Sequence, residues 1–141
     1  MTNDSVVENV VTAREVDDDH RLDFLPEFFG ANLMLVGENY IYNTMEKLSK
    51  TYHGGFWKFY KLSNGGFYMA PHMSKKLSVS VHGNYYEGEV SADAAGIIAT
   101  LFTLCALCHQ FPCDRYIDLY QHLRDYVSFH PESSEIFRAI D

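Results

Sequence analysis

The sequence has few cysteines, few basic residues and no apolar run long enough to span a membrane. Three cysteines in 141 residues are too few for a disulfide scaffold, and an odd number of cysteines cannot all pair within one chain. Eleven Lys and Arg stand against nineteen Asp and Glu, and the net charge of −8 argues against tight binding of duplex DNA, which needs cations at the phosphates. The most apolar stretch, 94–108, is shorter than the about 20 residues that cross a bilayer, so we expect a buried core helix and no membrane partner.

Signals for export are also missing from the N-terminal residues. The opening MTNDSVVENVV has neither the basic segment nor the apolar core of a signal peptide. Cysteines without an export signal are typical of a reducing compartment, so the expected location is cytoplasmic. A length of 141 residues suits a single domain that buries its own core.

The acidic residues are concentrated at the N-terminus. Residues 1–30 carry eight acids and two bases, a net charge of −6, whereas residues 31–141 carry eleven acids and nine bases, a net charge of −2. We therefore predict a flexible acidic arm over residues 1–20 and a single domain over residues 21–141. A short edge strand is the alternative for the arm, suggested by four valines: Val6, Val7, Val10 and Val11.

Hydrophobic periodicity predicts helices on both sides of a block of strands. Pro26 is expected to open a short helix that Gly30 ends, and a second helix is expected over 38–52. Ser91 should cap an almost wholly apolar helix, followed by an amphipathic helix over 114–129 and a short one that begins at Pro131.

Between these helices the residues are typical of strands. Two pairs, Asn64-Gly65 and Gly83-Asn84, are turn signals that separate four such segments. The segments are 56–62, 67–70, 77–82 and 85–90. The order predicts an α+β fold with one antiparallel meander of about four strands, packed against several helices.

A zinc site is the first chemical hypothesis. Cys105, Cys108, His109 and Cys113 could together supply four ligands. The first two cysteines, however, fall on the apolar helix, where a free cysteine packs like a small hydrophobic side chain. We predict no metal and no cofactor.

Catalysis is the second hypothesis. His82 could lie near Ser91 or Asp93 in a Ser–His–Asp arrangement, which geometry rather than chain order would reveal. The sequence contains no nucleophile elbow, no phosphate-binding glycine loop and no HExxH motif. We expect the protein not to be an enzyme.

The aromatic hairpin over 56–68 is the third candidate. With Lys58 and Lys61 it could stack single-stranded bases, so a single-stranded nucleic-acid-binding module is the alternative function. In the structural alternative, every second aromatic residue of the hairpin packs in the core of the sheet. The remaining aromatic residues are exposed only if no helix covers their face of the sheet. The aromatic members are Phe56, Trp57, Phe59, Tyr60, Phe67 and Tyr68.

Several strings of residues together resemble the ArdB/KlcA family of antirestriction proteins. They are GGFW at 54–57, LSNGGFYMAP at 62–71, VHGN at 81–84, EVSADAAGI at 89–97 and IFRAID at 136–141. The resemblance begins at about Phe24 and runs to the last residue. It implies a compact mixed α/β domain, without an established catalytic residue or cofactor, carried in bacteria on plasmids, pathogenicity islands and other mobile elements. It also implies relief of DNA restriction by type I restriction–modification enzymes.

The low net charge of residues 31–141 limits the mechanisms by which such a protein could relieve restriction. The nearly neutral body cannot imitate the phosphates of duplex DNA, which present about one charge per 1.7 Å. We therefore expect a monomer or homodimer that contacts a protein, either a type I restriction enzyme subunit or an associated host factor. The residues predicted for that contact are Trp57, Tyr60, Tyr85, Tyr86 and Asp141.

Overall fold

The structure, a computed structural model, describes residues 10–141, which form five strands and five α-helices. The strands are β1 (Ala13–Glu15), β2 (Trp57–Leu62), β3 (Phe67–Pro71), β4 (Leu77–Val81) and β5 (Tyr86–Val90). The helices are α1 (Arg21–Phe29), α2 (Met34–Leu48), α3 (Ala92–Gln110), α4 (Asp114–Val127) and α5 (Ser133–Ile140). The α+β class and the four expected strands are confirmed.

The strands lie in two antiparallel sheets and not in one meander. The first has the order β1-β2-β3 and the second pairs β4 with β5. Helix α3 explains the separation, because it lies along the outer edge of β3 where β4 would have paired. The Met69 amide on that edge donates to Thr100 Oγ1 at 3.4 Å, and a Cβ added at Gly96 would lie 2.5 Å from Ala70 Cα.

Residues 10–20, which the sequence assigned to the arm, pack against the first sheet. Strand β1 pairs with β2, and the Val16 amide donates to the Phe59 carbonyl at 2.8 Å. Val11 and Val16 are buried. An edge strand does occur, but at Ala13–Glu15 and not at the valines considered for it; Val10 and Val11 precede it, and Val6 and Val7 lie outside the described residues.

The prediction that Pro26 opens α1 is wrong. The helix begins at Arg21, directly after a 3-10 turn at Asp18–His20, and Pro26 lies inside it. A proline in a helix interior removes one hydrogen bond. Gly30 ends the helix as expected, with φ at +83° and its amide donating to the Pro26 carbonyl at 3.0 Å.

Helix α3 is the centre of the core. It is long and apolar enough to cross a membrane by length and composition, yet 67% of its apolar window is buried within the fold. Its N-cap is Ser91, as predicted, and the Ser91 Oγ accepts from the Ala94 amide at 3.0 Å. It packs against β3, α2, α4 and α5, so the predicted core helix is confirmed.

A cluster of phenylalanines joins α1 to the first sheet. Phe24 stacks on Phe59 with ring centroids 4.5 Å apart, and Phe28 stacks on Phe67 at 4.6 Å. Such pairs add about 0.5–1.5 kcal/mol beyond the area they bury. Most of the aromatic residues that are abundant in the sequence therefore lie in the core or pack against it.

Candidate protein-contact surface

Asn84 holds the turn between β4 and β5 against the C-terminal helix. Its Nδ2 donates to the carbonyls of Ala139 at 2.6 Å and Arg138 at 3.4 Å, while its Oδ1 accepts from the Tyr86 amide at 3.0 Å. Two strings that carried the family resemblance, 81–84 and 136–141, therefore meet in space. Sequence reasoning took Asn84 only as a turn residue and missed this role.

Tyr85 follows Asn84 and points into solvent. Its relative exposure is 92%, and its φ of +61° is the one positive value at a non-glycine residue within residues 10–141. A left-handed backbone at a residue with a large side chain costs about 1 kcal/mol or more, so the surroundings must impose it. The Asn84 bonds supply that constraint on the backbone, from which the aromatic ring of Tyr85 extends into solvent.

Tyr86 is buried, with 4% relative exposure, and it cannot serve as an exposed contact. Its hydroxyl donates to Glu135 Oε1 at 2.7 Å, and the Arg138 guanidinium lies 5.5 Å from its ring centroid. Burial, aided by the Glu135 carboxylate, raises the pKa of Tyr86 to about 12. This side chain fixes β5 to α5, so it supports the turn instead of forming the surface.

Asp141 is exposed at the end of α5 and is engaged by Arg124 of α4. The two Asp141 carboxylate oxygens accept from the guanidinium at 3.1 and 3.2 Å, and the Asp141 hydrogen bond raises the pKa of Arg124. The same guanidinium lies 5.1 Å from the Phe137 ring centroid. The Asn84 bonds join the turn that carries Tyr85 to the end of α5, which Asp141 follows, and we call the exposed residues of these two segments the turn–C-terminus surface.

Trp57 and Tyr60 lie elsewhere, on β2. Trp57 is 4% exposed and its Nε1 donates to the Tyr52 hydroxyl at 2.8 Å, so the structure places it in the core and not on a contact surface. Tyr60 is half-buried and stacks on Tyr68 with centroids 4.6 Å apart. Burial raises the pKa of Tyr60 to about 12. Of the five predicted contact residues, Tyr85, Tyr86 and Asp141 therefore lie on the two segments that Asn84 joins, and Trp57 and Tyr60 do not.

A buried polar network lies beneath the start of α3. The Tyr68 hydroxyl donates to Asp93 Oδ1 at 2.8 Å, and burial raises the pKa of Tyr68 strongly. His130 accepts at Nδ1 from the Glu132 amide at 2.9 Å, so its proton lies on Nε2, which donates to Asp93 Oδ2 at 2.8 Å. Both ring nitrogens are occupied, and this histidine cannot act as a base without breaking the network.

The Ser–His–Asp hypothesis fails on the same residues. Asp93 is bonded by His130, which sequence reasoning did not single out, and not by His82, which lies at the end of β4. Ser91 Oγ donates to Glu132 and accepts from the Ala94 amide, so it has no histidine partner. The network holds the α3 N-terminus to the loop before α5.

The cysteines do not form a metal centre within the described residues. No group of three or more His, Cys, Asp or Glu side chains among residues 10–141 is placed to hold an ion. Cys105 and Cys113 are exposed, and Cys108 is half-buried. Burial raises the pKa of the Cys108 thiol, which disfavours the thiolate that binds metals.

The aromatic hairpin offers no platform for stacking bases. Four of its aromatic side chains are buried: Trp57, Phe59, Phe67 and Tyr68. Its two lysines are engaged, Lys58 with Glu15 at 3.3 Å and Lys61 with Glu27 at 2.7 Å. Phe56 is exposed, but the Arg21 guanidinium lies 4.5 Å from its ring centroid. The nucleic-acid-binding alternative therefore loses its structural basis.

Comparison with known proteins assigns the family. Residues 50–141 match the family model described as antirestriction protein. The chain belongs to this family. Two Escherichia coli proteins named antirestriction protein KlcA are 48% identical over 100% of both chains, and 47% identical over 93% of this chain and 95% of the relative. The uncharacterized protein YafX of Escherichia coli strain K12 is 37% identical over 93% of this chain and 88% of its own.

A solved structure extends the comparison to the fold. It superposes with a TM-score of 0.89 at 47% identity and covers 97% of this chain and 99% of the other. That work describes the KlcA and ArdB proteins as having a novel fold and antirestriction activity against type I DNA restriction systems in vivo but not in vitro. The resemblance drawn from the sequence and the predicted α+β class are thus confirmed.

Proposed function

We propose that this antirestriction protein relieves restriction by type I systems in the bacterial cytoplasm through contact with a protein partner, without catalysis. The observation that carries the proposal is the full-length relationship to KlcA at 48% identity. Activity in vivo but not in vitro, described for the KlcA and ArdB proteins, supports a partner that purified components lack. A subunit of the restriction enzyme in its cellular state, or a host factor coupled to it, satisfies that requirement.

The arrangement of carboxylates favours contact over DNA mimicry. Imitation of a duplex requires free negative charges in regular order along one face. Here four carboxylates are neutralised by basic neighbours within 4.0 Å: Glu15 by Lys58, Glu27 by Lys61, Glu135 by Arg138 and Asp141 by Arg124. Asp93 and Glu132 are bonded within the fold. Six of the seventeen carboxylates of residues 10–141 are thus engaged within the fold, which reduces the charge available to imitate phosphates.

The turn–C-terminus surface has the features of a protein contact. An exposed aromatic ring offers a large contact area, and tyrosines are frequent at the centres of interfaces. Tyr85 is such a residue, and Asp141, which Arg124 engages, follows the helix that the Asn84 bonds join to the Tyr85 turn. Tyr60 adds a half-buried ring on the first sheet as a second contact.

Restriction of unmodified phage in cells with a type I system tests the proposal. We expect expression of the chain to raise plating efficiency, and Tyr85→Ala and Asp141→Ala to reduce that effect without a change in melting temperature. Leu22→Ala is the matched control, because Leu22 is as exposed as Tyr85 but lies on α1, outside the turn–C-terminus surface. Full activity of both variants would contradict contact through this surface.

A second variant separates contact from DNA mimicry. Replacing Asp4, Glu8 and Asp17–Asp19 by their amides removes five of the N-terminal acids while keeping Glu15 and its ion pair with Lys58. We expect this variant to retain relief of restriction. If it loses relief and the Tyr85 and Asp141 variants keep it, mimicry by the N-terminal acids is the mechanism.

A further inference from the structure

A small cavity lies between the last turns of α3 and the facing side of α4, and two thiols line it. Its volume is about 140 Å³, and its lining residues are Cys105, Cys108, Ile117, Tyr120 and Gln121. None of these residues belongs to the turn–C-terminus surface. Ordinary ligand sites have volumes of about 300–1,000 Å³, so this cavity is too small for one and the chemistry available here is that of the thiols themselves.

Cys105 and Cys108 lie on the same side of α3. Both line this cavity, and residues three apart on a helix are neighbours whose Cβ atoms are about 5–6 Å apart. A disulfide requires a Cβ separation of about 3.5–4.5 Å. The two thiols are free, as the intact helix requires, and a short displacement of the backbone would bring them within bonding distance.

The end of α3 is the part of the helix that can make this displacement. Cys108 lies in the last turn, two residues before α3 ends at Gln110. In a continuing helix the Cys108 carbonyl would accept from the amide of residue 112, but that residue is Pro112, which has no N–H. His109 and Gln110 are exposed, so their side chains do not anchor the turn in the core. Opening of this turn allows Cys108 to approach Cys105.

Accessibility determines the order in which the two thiols react. Cys105 is exposed, so a small molecule in solution reaches it first. Cys108 is half-buried, and burial, with a smaller contribution from the neighbouring thiols of Cys105 and Cys113, raises the pKa of its thiol. The thiolate is the attacking species in disulfide exchange. Cys108 therefore attacks a dissolved disulfide slowly, and its natural target is a disulfide already formed at Cys105.

We propose that Cys105 and Cys108 form a thiol–disulfide exchange site for low-molecular-weight disulfides such as oxidised glutathione, a property separate from the contact function proposed above. The Cys105 thiolate attacks one sulfur of oxidised glutathione, whose S–S bond breaks, and one glutathione thiolate leaves. The Cys108 thiolate then attacks the Cys105 sulfur, and the second glutathione leaves. The two protons of the protein thiols pass to the two released glutathiones. A disulfide that opens a helix end is strained and readily reduced, which is the behaviour of regulatory disulfides.

Mass spectrometry of the folded protein after incubation with oxidised glutathione tests the exchange. All variants carry Cys113→Ser, which removes the third thiol and leaves the pair intact. We expect this variant to lose two hydrogen atoms, a fall of about 2 Da in the mass of the monomer. Adding Cys108→Ser should stop the reaction at a mixed disulfide of Cys105 with glutathione. Adding Cys105→Ser instead should slow any modification at least about tenfold, because only the half-buried thiol remains.

Hydrogen exchange tests whether the disulfide opens the end of α3. The Phe111 amide donates to the Leu107 carbonyl at 2.8 Å, and its exchange should be at least about tenfold faster in the oxidised Cys113→Ser variant than in the reduced one. The Cys105→Ser/Cys113→Ser variant, treated alike, is the matched control and should show no change.

Four results would each overturn the proposal. They are accumulation of the mixed disulfide in the Cys113→Ser variant without an internal disulfide, a disulfide that joins two chains, formation of the disulfide only in urea, and unchanged exchange of the Phe111 amide. The first and third would mean that the folded helix keeps the two thiols apart.

Discussion

The side-chain amide of Asn84 and the backbone carbonyl of Ala139 are joined by a 2.6 Å hydrogen bond across 55 residues of sequence. This bond brings the turn of the second sheet to the last helix of the chain. Its consequence is that Tyr85, next in sequence, stands in solvent in a left-handed conformation that it would not adopt by itself. One half-buried side chain therefore constrains the backbone from which an exposed aromatic ring extends.

Replacement of Asn84 should release that turn. Asn84→Ala removes both the donor to Ala139 and the acceptor for the Tyr86 amide, and we expect a loss of about 1–3 kcal/mol in the free energy of unfolding, measured in urea. Asn84→Asp keeps the acceptor and loses the donor, so it should be intermediate. Equal stability of both variants and the parent chain would contradict the role assigned to this side chain.

The polar network under α3 should appear as coupling between Tyr68 and Asp93. Tyr68→Phe removes the hydroxyl that donates to Asp93, and we expect a loss of about 1–2 kcal/mol in stability. A double-mutant cycle with Asp93→Ala should give a coupling energy above about 0.5 kcal/mol, because the two groups are in direct contact. Additive effects would mean that the hydrogen bond contributes nothing.

Close packing of α3 on β3 depends on Gly96. A Cβ there would lie 2.5 Å from the Cα and Cβ of Ala70, and backbone cannot move aside, so Gly96→Ala should destabilise the protein by more than about 3 kcal/mol. Gly83→Ala is the matched control, because nothing lies within 4 Å of a Cβ at that position. Thermal unfolding should show a large fall in Tm for the first variant and little change for the second.

Alkaline pH should destabilise the fold through its buried tyrosines. Folding raises the pKa of Tyr60 and Tyr86 from 10.0 to about 12, so the unfolded chain releases their protons first. The contribution of these two tyrosines to the free energy of unfolding should therefore be constant below about pH 10 and fall between pH 10 and 12. Urea titrations across this range should show a shallower fall for Tyr86→Phe, and an equally steep one would show that its hydroxyl is not involved.

The ion pair between Arg124 and Asp141 should contribute little stability. Both side chains are partly exposed, at 33% and 55%, and exposed pairs are worth about 0–1 kcal/mol. Asp141→Asn should therefore unfold at nearly the parent temperature. If its relief of restriction nevertheless falls, the loss reflects contact with the partner; a large fall in Tm would instead indicate a structural role.

Local sequence patterns were sufficient for most of the fold. The apolar run beginning after Ser91 predicted a buried helix, and Asn64-Gly65 and Gly83-Asn84 marked the turns of two hairpins. Such signals are reliable because capping, burial and turn geometry depend on residues close in the chain. Pro26 shows where such local signals fail to predict a helix boundary. The contacts of α1 with the sheet outweighed the usual preference of proline for the first helical turn.

The contact surface was less predictable, because exposure depends on which element covers a side chain. Trp57, Tyr85 and Tyr86 look alike as aromatic residues of strands and turns, yet two are buried and one is 92% exposed. The cavity between α2 and β4 was not predicted either. Leu48 and Ser80, which both line it, are far apart in sequence, and the hydrogen bond between Thr51 and Ser78 brings their segments together.

The sequence alone determined the family, the α+β class and the nearly neutral charge of the body, since these follow from residue identities and short-range order. Tertiary structure decided that β4 pairs with β5 apart from the first sheet, because Thr100 and Gly96 of α3 occupy the edge of β3. It also decided which carboxylates are neutralised and which aromatic ring meets solvent. Those properties arise from packing between distant segments, which no local pattern encodes.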